Sequence, residues 1–145
     1  MTAPSLRALG ATVLRVGLGA LFVIAAVLKL RDPGAFATEI ANYRLWSELA
    51  PYLATTLPAI ELVVGLTLMV APLAWRRAAA LATVGLLLVF TIAVAQVVAR
   101  GINVDCGCFG GRSGPVTSWT VARDLALLAA AALVFVSCRP RSARA

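Results

Sequence analysis

Apolar positions in this chain gather into four long runs, not into the short alternating patches of a sheet protein. The first covers about Val13 to Leu30, with Arg15 and Lys29 near its ends. The second covers about Tyr52 to Trp75, with Pro58 and Glu61 in its first half. The third runs from about Ala78 to Ala99 and the fourth from Trp119 to Val136, the latter carrying Arg123 and Asp124 near its start. At a rise of about 1.5 Å per residue, each is long enough to cross a ~30 Å hydrocarbon core as a helix. The pattern predicts an all-α integral membrane protein, a four-helix transmembrane bundle forming a single domain over residues 1–145. Arg15 within the first run, and no small-residue cleavage pattern before Lys29, argue against a cleaved signal peptide.

Between the first two runs the pattern changes. Asp32-Pro33 is a good helix start, with an acidic N-cap and proline in the first turn. Phe36, Ile40 and Tyr43 then recur at helical spacing, with Glu39 and Arg44 off that line. This predicts a short amphipathic helix lying at the interface and ending near Trp46, in the aromatic belt. Arg76-Arg77 reads as a tight basic turn into the third run. The loop from Arg100 to Ser118 holds five glycines and Pro115, a density that excludes a regular helix and lets the backbone fold tightly.

Composition agrees with this reading. The chain has 145 residues, 61% of them hydrophobic and 13% charged, and a mean hydropathy of +0.94. A water-soluble fold of this length would not hide so much apolar surface. The net charge of +7 does not imply nucleic acid, because the basic residues sit at expected helix ends and form no cluster interleaved with aromatics. Arg7, Arg15, Arg76, Arg77, Arg139, Arg141 and Arg144 fall on one side of the four spans, in short segments that hug them. Lys29, Arg31, Arg44, Arg100, Arg112 and Arg123 fall on the other. The positive-inside rule then places both termini in the cytoplasm of a plasma-membrane protein, and the glycine-rich loop outside.

That loop carries the candidate chemistry, Asp105-Cys106-Gly107-Cys108-Phe109-Gly110-Gly111. Cysteines two positions apart share a face only in an extended or bent segment, which Gly107 permits. Their Cα atoms then lie roughly 5.5–7 Å apart, inside the upper part of the disulfide window. Three readings stay open: thiol–disulfide exchange, a structural disulfide or packed thiols, and metal binding. Closing so small a ring removes little unfolded-state entropy, and strained exposed disulfides tend to be the exchanging kind. Two thiolates in a chain with no histidine leave a zinc site half filled, so no metal is expected. Cys138, at the far end of the fourth run, reads as a small apolar residue.

Ionisable residues inside spans are functional suspects. Glu61, Arg123, Asp124 and Lys29 all fall toward the layer beneath the cysteine loop, and Glu61 is expected to pair with Arg123 or Lys29 as a polar floor to the site. A cation there would favour the reactive thiolate. The alternative is that these are interfacial charges that snorkel or pair only to be satisfied. Arg15 and Gln96 read as routine interfacial polar groups. Gly17, Ala20, Gly65 and Ala71 read as small residues that let helices approach closely.

Taken together, Phe22, Lys29-Leu30, Asp32-Pro33, Phe36, Tyr43, Leu57-Pro58-Ala59-Ile60-Glu61-Leu62, Gly65, Cys106-Gly107-Cys108-Phe109-Gly110 and Arg123-Asp124 resemble the MauE family of methylamine utilisation proteins. They also resemble the wider MauE/DoxX group of redox-associated membrane proteins. The resemblance covers nearly the whole chain, and the Cys-Gly-Cys-Phe-Gly element is its most specific part. It implies a four-helix membrane protein working beside an extracytoplasmic thioredoxin-like partner, as in maturation of the disulfide-rich small subunit of methylamine dehydrogenase. Cys106 and Cys108 would be the exchanging pair, with Gly107, Phe109 and Gly110 shaping the loop. A membrane quinone is a candidate electron acceptor, although the chain has no second cysteine pair to relay electrons. The competing reading is a non-catalytic membrane scaffold or chaperone subunit that docks a redox partner. A small transporter fits less well, since the spans show no inverted repeat.

Overall fold

A computed structural model describes residues 6–45, 47–106 and 114–138. Five α-helices appear in order: α1 (Leu6–Arg31), α2 (Pro33–Asn42), α3 (Ala50–Val70), α4 (Leu73–Ala99) and α5 (Ser118–Ser137), with one 3-10 turn at Ser47–Leu49 before α3. Four of the helices, all but α2, are long and apolar enough to cross a membrane. Large apolar side chains such as Ile24, Val63, Ile92 and Leu133 stand exposed on them, as lipid-facing residues do.

Several boundaries differ from the sequence reading, α1 for one starting at Leu6 and not near Val13. The second span stops at Val70, because Ala71 before Pro72 adopts an extended backbone (φ −73°, ψ 163°) and the helix cannot run through it. Pro72 instead starts α4, so Arg76 and Arg77 are not a turn but lie within the first two turns of that helix. The Arg77 guanidinium rests 5.5 Å from the Phe135 ring of α5. The amphipathic helix is real but stops at Asn42, four residues short of Trp46, which lies outside the described residues. Its start is as expected: Asp32 Oδ1 accepts from the Ala35 amide at 2.9 Å, and Pro33 occupies the first turn.

Helix α1 packs most extensively on α3, and α4 on α5, while α2 lies against α3. The α1–α3 contact is made by glycine. A Cβ built on Gly65 would stand 2.8 Å from the Gly19 carbonyl oxygen, and one on Gly19 would stand 2.5 Å from Met69 Cγ. Gly17, the residue expected at such a contact, faces open space, so Gly19 takes the role. Arg15 then donates to the carbonyl oxygens of Leu68 and Met69, satisfying acceptors at the last turn of α3. Thr83 and Thr91 are buried in α4 and satisfy their hydroxyls on the carbonyls of Ala79 and Leu87, four residues back. Cys138 is buried with Leu18, Leu68 and Val134 in the apolar core, the role read for it from sequence.

Helix α4 ends on Gly101, whose φ of +63° is the left-handed conformation that glycine adopts without a Cβ penalty. The Ile102 amide reaches back to the Val97 carbonyl, closing the helix in a Schellman-like cap. The chain then reverses through a short antiparallel bridge, Asp105 opposite Pro115, with Val116 N donating to Val104 O at 2.9 Å. This bridge fixes Cys106 at the base of the cysteine loop.

Candidate functional site

Cys106 does not stand exposed. It is 6% accessible and packs with Val94, Val97 and Val116. Its carbonyl oxygen accepts from the Tyr43 hydroxyl at 2.8 Å, and the Tyr43 carbonyl in turn accepts from Gln96 Nε2 at 3.1 Å. The segment after α2, the end of α4 and the base of the cysteine loop are thus tied by one hydrogen-bonded chain. Gln96, read from sequence as a routine interfacial group, is the link on α4. Cys108, Gly107, Phe109 and Gly110 lie outside the described residues.

From α5, Arg123 Nη2 approaches Cys106 Sγ at 3.4 Å. The same guanidinium donates through Nη2 and Nε to Asp124 Oδ1 at 2.9 and 3.1 Å. Arg123 is partly exposed, while Asp124 is buried at 3%. A cation therefore stands beside the sulfur, steered there by a neighbouring carboxylate.

Glu61 takes Lys29 and not Arg123. Lys29 Nζ lies 2.5 Å from Glu61 Oε1, with the two residues 3% and 2% exposed. Glu61 sits eleven positions into α3, about 16 Å along its axis, which is deeper than the span boundary read from sequence implied. Lys29 is not snorkelling to the interface. Its ammonium lies 5.0 Å from the Phe36 ring centroid and 5.1 Å from that of Phe90, so two aromatic faces and one carboxylate stand in for its water. Phe36 is the buried residue of α2 and packs over Lys29, while the helix as a whole lies against α3.

All these groups border one cavity of about 300 Å³. Lys29, Glu39, Glu61, Arg123, Asp124, Cys106 and Tyr43 are its polar lining, and Phe22, Phe36, Leu57, Leu87, Phe90 and Val94 belong to its apolar wall. Every helix of the fold supplies part of it. Sequence reasoning found the four charged residues. It did not find the cavity, nor Phe90, whose only mark in the sequence is a place in an apolar helix, and it noted Gln96 without the link to Tyr43.

A bundle of four apolar spans with two ion pairs and Cys106 around one cavity defines a multi-pass membrane protein with an intramembrane polar site. The family described as methylamine utilisation protein MauE matches residues 7–137, and the chain belongs to that family. It is 44% identical over 121 residues to methylamine utilization protein MauE of Paracoccus denitrificans, a match covering 81% of this chain and 64% of that protein. The corresponding protein of Paracoccus versutus is 41% identical over 122 residues, covering 83% and 64%. That of Methylophilus methylotrophus is 39% identical over 87 residues, covering 58% and 44%. The chain thus spans just under two thirds of the length of the two Paracoccus proteins. No solved structure matches it.

Proposed function

We propose that this protein supports thiol–disulfide exchange with a thioredoxin-like partner on the outer face of the plasma membrane, both termini being cytoplasmic. The process served is maturation of disulfide-rich exported proteins, with methylamine metabolism as the setting suggested by the relatives' names. The observation that carries the reading is the Arg123 guanidinium 3.4 Å from Cys106 Sγ, a cation placed to stabilise negative charge on that sulfur. In the minimal scheme one thiolate of the Cys106/Cys108 pair attacks the partner's disulfide. The partner's leaving sulfur departs as a thiolate, and the second cysteine then resolves the mixed disulfide, so the pair is oxidised and the partner reduced; the reverse sequence oxidises the partner.

Burial of Cys106 favours a second reading, in which the chain is a non-catalytic scaffold that docks the redox partner and the cysteines only shape the loop. Trapping separates the two. Cys106→Ser and Cys108→Ser, each expressed with a thioredoxin-fold protein that keeps its own disulfide, should leave a mixed disulfide with one variant, since the remaining thiolate attacks that disulfide and no second cysteine of this chain resolves it, and none with the double variant. Full function of the double variant, inserted at normal abundance, would leave only the scaffold.

A further inference from the structure

The cavity beneath Cys106 has a chemistry of its own. Its wall is mostly hydrocarbon and aromatic, yet it also holds two cation–carboxylate pairs, Lys29–Glu61 and Arg123–Asp124, together with Glu39, Tyr43 and Cys106. In each pair one carboxylate oxygen is spoken for. The other oxygens, Glu61 Oε2 and Asp124 Oδ2, are buried with no hydrogen-bond partner among the described residues. A buried carboxylate oxygen without a donor is costly, so each marks a place where a ligand donor would be favourable. Glu39 of α2 also lines the cavity, so its carboxylates outnumber its cations three to two, which disfavours a fatty-acid carboxylate or a phosphate and suits an uncharged ligand. Val89 of α4 and Leu45, both lining the cavity, are 48% and 39% exposed, so its edge meets the surface at an apolar, lipid-facing position.

We propose that this cavity binds the head group of a membrane quinone and its quinol. The ring lies in the apolar space beside Phe36 and Phe90, and the tail leaves past Val89 into the lipid. A quinone presents carbonyl oxygens, which accept from Lys29 and Arg123. A quinol presents hydroxyls, which donate to Glu61 Oε2 and Asp124 Oδ2. A ligand that changes from acceptor to donor with its redox state uses both halves of each ion pair, which no hydrocarbon chain does. At about 300 Å³ the space suits a one-ring head and is at the small end for ligand sites. The proposal deepens the reading above, and its redox consequence rests on that reading. Two thiols give up two electrons and two protons as their S–S bond forms, and one quinone takes up both to become quinol.

The test uses the full chain in phosphatidylcholine nanodiscs with a photoreactive azido-benzoquinone carrying a decyl tail. Label should map to residues 29–45 and 87–94, and decyl-benzoquinone should displace it at concentrations about tenfold below those needed with decylbenzene, a 1.4 kcal/mol preference. Ala93→Trp and Leu57→Trp, which fill the cavity from two different helices, should each abolish the specific label while helix content stays normal. Equal displacement by decylbenzene would reduce the site to an acyl-chain pocket and overturn the proposal. So would label that persists in both filled variants. Specific labelling without any trapped partner would leave this inference standing and remove the exchange function alone.

Discussion

Lys29 Nζ meets Glu61 Oε1 at 2.5 Å although 32 residues separate them, and both side chains are almost wholly removed from solvent. The pair joins the end of α1 to the middle of α3 at the cavity floor. Desolvating two charges costs several kcal/mol per ion, and their attraction recovers this only when the geometry is good. Removing one partner leaves the other charged and buried.

The first prediction concerns that asymmetry. Lys29→Met and Glu61→Leu should each destabilise the bundle by about 3–5 kcal/mol, whereas the double variant should return to within ~1–2 kcal/mol of the parent, since apolar replacement of both partners is often neutral. Thermal unfolding in a mild detergent, followed by far-UV circular dichroism, reads all four corners of the cycle. Additive losses in the double variant would show that the two residues are not coupled.

A second concerns the glycine contact. Gly65→Ala puts a Cβ 2.8 Å from a backbone oxygen of α1, and Gly19→Ala puts one against both Met69 and the Gly65 carbonyl. Each should cost about 1–3 kcal/mol by overpacking. Gly85→Ala, in the middle of α4 with nothing within 4 Å, should instead be neutral or stabilise by up to ~1 kcal/mol through helix propensity. Equal midpoints for Gly65→Ala and Gly85→Ala in the same detergent would contradict the close approach of α1 and α3.

The third concerns Arg123. In a Cys108→Ser/Cys138→Ala background, which leaves Cys106 as the single thiol, Arg123→Gln should slow alkylation by iodoacetamide several-fold at pH 7 and Arg123→Lys should recover part of it. The rate should also become less sensitive to salt once the cation is gone. Unchanged alkylation in Arg123→Gln would mean that the guanidinium does not act on the sulfur.

Much of this was legible in the residues. Asp32-Pro33 announced the start of α2, because an acidic cap and a proline in the first turn act locally. Glycine and proline around the cysteines announced a loop in place of a helix. Glu61, Arg123, Asp124 and Lys29 stood out because a charge in an apolar run is costly and must be answered. Their partners were not legible. Glu61 had two candidate cations, and the chain gave no reason to prefer Lys29.

The division has one physical cause. Run length and cap chemistry depend on neighbours in the chain, so the sequence by itself determined four spans, a short interfacial helix and a cysteine loop. Helix rotation and depth depend on surfaces that meet only after folding. Helices α3 and α4 are apolar on nearly every face, so no periodic stripe says which side turns inward. The contact of Gly19 with Gly65 is part of what sets how α1 lies on α3. Only that tertiary arrangement brought Lys29 to Glu61, Arg123 to Cys106, and both pairs to the wall of one cavity.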